Sequence, residues 1–233
     1  TSLLENEIQS VIAPLESGWL VQGPKVQEFE SKWSEFTGSK NSLAVTSCTT
    51  ALHLSLAALG FGPGDEAIVP AFTWISTANV VEHLGGKVVF CDIDPETFNI
   101  DVSQVEGKIT SKTKAILPVH LFGLSADMNP INEIAKRHNL WVVEDAACGF
   151  GATYFGQHVG TLGTTGCFSF HPRKALTTGE GGMVMTSDQK LADRARSYRN
   201  LCFRTDRRFY HTEIGNNLRM TNMQAALGIA QLE

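Results

Sequence analysis

A lysine set among glycines at the exit of an apolar run is the first residue with chemistry in reach. Ser169-Phe170-His171-Pro172-Arg173-Lys174 leads into Thr177-Thr178-Gly179-Glu180-Gly181-Gly182. An uncharged lysine amine attacks carbonyl carbon, so Lys174 is a candidate nucleophile for a Schiff base. The glycines permit positive φ and close backbone approach to a ligand, but a tight turn uses them for the same reason, and a solvated loop lysine is the plain alternative. A second apolar run, 142–145, delivers Glu144 and Asp145 and then the small residues Ala146, Ala147 and Cys148. Ligands of open α/β sheets bind beyond the carboxyl ends of strands, which places Asp145 to pair with a protonated ring nitrogen of a cofactor. Capping of a following helix accounts for that aspartate equally well.

Hydroxyl residues gather in Thr46-Ser47-Cys48-Thr49-Thr50, between an apolar strand pattern and a helical one. Unpaired backbone N–H groups and the helix dipole at such a junction favour an anion such as phosphate, although capping alone also explains the cluster. Pro70-Ala71-Phe72-Thr73-Trp74 follows another apolar run. Trp74 at that exit can stack on a planar ring, whereas Phe72 reads as core. The chain has no nucleotide P-loop, no dinucleotide Gly-x-Gly-x-x-Gly after its first strand and no Gly-x-Ser-x-Gly elbow. Its seven histidines show no metal-ligand spacing, so no metal is expected.

These residues need a scaffold. Short β-branched runs alternate with segments of helical period, the pattern of a layered α/β protein with a largely parallel sheet. Strands are predicted at 42–45, 66–69, 87–91, 113–118, 140–144, 166–170 and 182–186, enough for one seven-stranded sheet. Helices are predicted at 25–36, 49–59, 76–83, 128–138, 191–200 and 221–233, where apolar residues recur three and four apart. The turn cluster Gly60-Phe61-Gly62-Pro63-Gly64-Asp65 and the run Asp92-Ile93-Asp94-Pro95 punctuate this order. Nothing marks an internal boundary, and the expected division is an N-terminal segment, 1–22, and one domain, 23–233. The last apolar pattern stops without a capping residue, as expected of a piece of a longer protein.

Composition narrows the function classes. Of 233 residues 42% are hydrophobic and 18% charged, which is ordinary for a chain with a real core. A net charge of −5 without a basic stripe makes nucleic acid an unexpected partner. The longest apolar runs are far shorter than the ~20 residues of a membrane span, and no signal peptide is visible. Five cysteines without a Cys-x-x-Cys pair argue against a disulfide framework and fit a reducing cytoplasm.

In combination the motifs resemble the sugar aminotransferases of the DegT/DnrJ/EryC1/StrS family, over nearly the whole chain. The ordered set is Thr46-Ser47-Cys48-Thr49-Thr50-Ala51-Leu52, Pro70 to Trp74, Val143-Glu144-Asp145-Ala146-Ala147, the run from Ser169 to Gly182, and Gly215-Asn216-Asn217-Leu218-Arg219-Met220. The resemblance implies a three-layer α/β/α domain of the aspartate-aminotransferase fold and pyridoxal 5′-phosphate as cofactor. It implies that Lys174 bonds to the cofactor and moves the proton, that Asp145 pairs with the pyridinium nitrogen, and that Thr49, Thr50 and Ser169 take the phosphate. Trp74 would stack on the ring, and Asn217 would reach the neighbouring subunit's phosphate in a homodimer with shared sites. Cys148 stands where Gln or His is usual and is carried as a cofactor neighbour, while Asn216 and Leu218 replace two aromatic residues. The implied reaction moves an amino group from an amino acid, glutamate or glutamine, to a keto group of a nucleotide-linked deoxysugar for glycan, lipopolysaccharide or antibiotic assembly. A lyase reaction on the same lysine and a non-catalytic regulatory role are the alternatives.

Overall fold

The computed structural model describes residues 3–204, 206–207 and 209–233. Two helices, α1 (Glu5–Ser17) and α2 (Pro24–Thr37), precede the first strand. There follow β1 (Asn41–Val45), α3 (Cys48–Leu59), β2 (Glu66–Pro70), α4 (Ser76–His83), β3 (Lys87–Cys91), the short α5 (Val102–Val105), β4 (Thr113–Ile116), α6 (Met128–His138) and β5 (Trp141–Asp145). A small hairpin, β6 (Thr153–Tyr154) and β7 (Gln157–His158), precedes β8 (Thr165–Ser169), β9 (Gly182–Thr186), α7 (Gln189–Arg199) and α8 (Asn222–Leu232).

The seven-stranded sheet has the order β1-β9-β8-β5-β4-β2-β3. Only β9 runs against its neighbours, pairing antiparallel with β1 and β8, while the pairs from β8 through β3 are parallel. The sheet is therefore the mostly parallel seven-stranded one expected. Strands with two covered faces carry side chains alternately to each, and the core divides accordingly. Leu43, Val45, Val69, Val143 and Cys167 pack toward α3, α4 and α7. Ala44, Phe168, Met183 and Met185 face α2 and α8, and Ile68, Ile116 and Val142 face α6. Trp33 anchors the α2 side, with rings of Phe150, Phe168 and Phe170 within 5.7 Å of its centroid and its N–H on Met185 Sδ at 3.0 Å.

Differences from expectation are local. β4 stops at Ile116 because Pro118 cannot continue a ladder as donor; its carbonyl instead accepts the Asp145 N–H at 2.8 Å. The segment 1–22 contains a helix, α1, that packs on α8, and Asn222 Nδ2 ties down the Trp19 carbonyl at 2.9 Å. Among the described residues no helix is long and apolar enough to cross a membrane.

Candidate active site

Alternation along β5 sets the site. Val143 packs on the α3 side and Val142 on the opposite side, so Asp145 points toward α3 and Glu144 away from it. Asp145 is buried and held on both oxygens. Oδ2 accepts the Thr77 hydroxyl at 2.8 Å, and Oδ1 accepts the Ala147 N–H at 3.1 Å and faces the Cys48 thiol at 3.8 Å. Burial, and then the Asp145 charge, push the Cys48 thiol well up, so it stays protonated and can donate.

Lys174 leaves the loop after β8 with its Nζ 3.0 Å from the exposed Cys148 Sγ, three residues beyond Asp145. The buried Cys48 thiol lies within electrostatic reach of both Asp145 and Lys174. Amine and carboxylate thus share one end of the sheet, at the carboxyl ends of the parallel strands.

The N-terminus of α3 opens on the same edge. A reciprocal cap joins Ser47 and Thr50: Thr50 N–H donates to Ser47 Oγ at 3.1 Å, and Ser47 N–H to Thr50 Oγ1 at 2.9 Å. Thr50 is therefore committed to the cap. The N–H groups of Cys48 and Thr49 have no acceptor among the described residues, and the Thr49 hydroxyl meets Ser76 Oγ at 2.9 Å. Ser169 pairs in register with Gly182, and a Cβ on Gly182 would stand 2.5 Å from the Ser47 carbonyl carbon. Only glycine lets β9 pass so close beneath α3, and Ser169 is the residue paired with that glycine.

Trp74 stands clear of the surface, 76% exposed. Phe72, expected in the core, is 49% exposed; it leaves β2 beyond the last covered position and packs on Phe98, centroids 5.8 Å apart. Asn217 is exposed beside Asn200, and among the described residues no hydrogen bond joins it to Lys174 or Asp145. Asn216 and Leu218 lie on the same edge segment.

The sequence reading missed three groups. Thr77 and Cys48 grip Asp145, and their only local signals were helix-start positions that capping already explained. The third is the buried pair His120 and Glu144, 2.9 Å apart. His120 Nδ1 accepts the Ala126 N–H at 3.1 Å, which leaves Nε2 to donate. Glu144 also accepts N–H groups of Gly160, Leu162 and Gly163 at 2.6 to 2.8 Å. It fastens the loop before β8 rather than serving the site.

A mostly parallel sheet with a lysine and a buried carboxylate at its carboxyl edge defines the large domain of the aminotransferase class of α/β proteins. The chain belongs to the DegT/DnrJ/EryC1/StrS aminotransferase family, whose model matches residues 1–233. It is 48% identical over 229 residues to a GDP-perosamine synthase of Caulobacter vibrioides, covering 98% of this chain and 62% of that protein. An aminotransferase structure from Psychrobacter cryohalolentis superposes with TM-score 0.96 at 38% identity, covering 99% of this chain and 62% of the other. The PLP form of a sugar aminotransferase, Spr1654 of Streptococcus pneumoniae, superposes at 0.93 with 32% identity, covering 99% and 64%. The chain thus spans about three fifths of the length of these relatives.

Proposed function

We propose that the full-length protein is a cytoplasmic pyridoxal-phosphate aminotransferase that moves an amino group from an amino acid, glutamate or glutamine, to a keto group of a nucleotide-linked deoxysugar. The observation that carries this reading is the convergence of the Lys174 amine, the buried Asp145 carboxylate and the two unpaired N–H groups of α3 at one sheet edge. The residues fit the cofactor: free N–H groups suit a phosphate, and a buried carboxylate with an acceptor position to spare suits a ring N–H. Relatives named as sugar aminotransferases support the substrate class.

When bound, pyridoxal phosphate supplies an electrophilic aldehyde carbon and a ring that accepts electrons. Lys174 Nζ is the amine that would hold it covalently, and the same amine would take and return a proton at the reacting carbon. Asp145 keeps the ring nitrogen protonated. Thr49 and Ser169, with the α3 N-terminus that Ser47 and Thr50 cap, would take the phosphate, Cys148 would border the ring, and Trp74 would stack on it. Asn217 contributes to the neighbouring subunit's site in a homodimer. Residues 1–22 act as an N-terminal segment on a large domain, 23–233.

The test is the visible spectrum of full-length protein with pyridoxal phosphate, before and after L-glutamate. A band that requires Lys174, is absent in Lys174→Ala and disappears with glutamate is expected, together with amino transfer to a nucleotide-linked keto-sugar. Consumption of many equivalents of the amino acid per bound cofactor without any keto-sugar would replace the reading with an elimination. Turnover by Lys174→Ala near the wild-type rate would end it.

A further inference from the structure

Thr77, the second residue of α4, is fully buried, and its hydroxyl touches three oxygens. Asp145 Oδ2 lies at 2.8 Å, Thr73 Oγ1 at 3.1 Å and the Trp74 carbonyl at 3.1 Å. A hydroxyl has one proton to give. The carboxylate is the nearer and stronger acceptor, and the Trp74 carbonyl already takes the Thr77 backbone N–H at 3.2 Å. The proton therefore goes to Asp145, and the Thr77 oxygen accepts in turn from Thr73. This makes a directed chain, Thr73 to Thr77 to Asp145.

Each carboxylate oxygen has two acceptor positions. Oδ1 has both engaged, by the Ala147 N–H and the Cys48 thiol, whereas Oδ2 has one engaged by Thr77 and one open. The open position belongs to the oxygen that Thr77 holds.

We propose that Thr77 is a positioning residue for the cofactor: its buried hydroxyl fixes Asp145 Oδ2 so that the open acceptor position is presented to a protonated ring nitrogen, while its N–H holds the carbonyl of Trp74. One residue thus ties the carboxylate, through its hydroxyl, to the backbone of Trp74, through its N–H. The proposal rests on the reading that Asp145 and Trp74 border pyridoxal phosphate.

The experiment titrates pyridoxal phosphate into full-length protein, following visible absorbance, and compares Thr77→Val, Thr77→Ser and Thr77→Ala. Valine keeps the shape of threonine and removes the hydroxyl. Hydrogen bonds to charged groups set the scale, so Thr77→Val is expected to bind the cofactor roughly 10-fold more weakly, with Thr77→Ser within about 2-fold of wild type. The pH at which the bound-cofactor band changes should move in Thr77→Val and stay in Thr77→Ser. In an Asp145→Asn background the further effect of Thr77→Val should fall below about 2-fold, because the partner charge is gone. Should Thr77→Val melt early, Thr77→Ser and Thr77→Ala, which differ by one hydroxyl oxygen, carry the same comparison. Wild-type affinity and pH profile in Thr77→Val would overturn the proposal, as would an undiminished effect in the Asp145→Asn background. A wild type that binds the cofactor through Lys174 but transfers no amino group would remove the proposed function and leave the Thr77 comparison standing.

Discussion

Cys148 is the exposed thiol of the five, and Lys174 Nζ sits on it. Burial pushes the thiols of Cys48, Cys91, Cys167 and Cys202 up, so at pH 8 their reactive thiolate is scarce as well as shielded. Iodoacetamide at pH 8 should therefore label Cys148 alone in the native protein, read by peptide mass spectrometry, and early labelling of Cys48 would contradict the packing described. Glu144 makes the opposite case, a carboxylate accepting only N–H donors. Glu144→Gln turns an amide N–H₂ toward those donors and should cost roughly 2–4 kcal/mol in urea denaturation. Lys174 and Asp145 could be read from the sequence because their immediate neighbours, glycines and a strand end, carry the signal. The grip on Asp145 could not, because Thr77 is 68 positions away and reaches it only through the strand order.

Elements were readable where burial imposes a period. Every strand of the large sheet lies where apolar runs predicted it, with ends shifted by at most two positions, and helices such as Ser76–His83 and Met128–His138 match fully. Two kinds escaped. α1 sets Ile8, Val11, Ile12 and Leu15 three and four apart, but Pro14 falls inside that stripe and reads as a helix breaker; its support comes from α8, at the far end of the chain. The hairpin of β6 and β7 turns on Phe155 and Gly156, with φ of 47° and 82°. A phenylalanine in that conformation hides the usual Asn-Gly signal. β9 crosses directly under the start of α3 at Gly182. Gly182→Ala drives a methyl into the Ser47 and Cys48 backbone, while Gly107→Ala meets nothing within 4 Å. The first should weaken pyridoxal phosphate binding at least about 10-fold and lower the melting temperature, with Gly107→Ala unchanged in both.

For the whole molecule, Phe72, Phe98 and Phe122 form a ring cluster at the surface, Phe122 being 74% exposed. Phe98 and Phe122 have φ of 61° and 55°, costly backbone for bulky residues, which holds their rings outward. If the proposed homodimer uses this patch, Phe98→Ser with Phe122→Ser in full-length protein should shift sedimentation toward the monomer; an unchanged species would place the subunit contact elsewhere. The reversed strand has a different consequence, one of timing. β1 has a single neighbour in the sheet, β9, and Val45 pairs with Gly182, so the first strand made has no partner until roughly 140 further residues are translated. At about 5–20 residues per second that is an interval of roughly 7–30 s during which an apolar strand is unpaired on the ribosome. During that interval β2 through β5 can pair among themselves, so the growing chain holds a half-sheet before the edge that carries β1 is closed. Chains arrested before residue 180 should accordingly be cut by protease near β1 while the β2–β5 region resists, and both should resist once β9 and its anchoring helices have emerged.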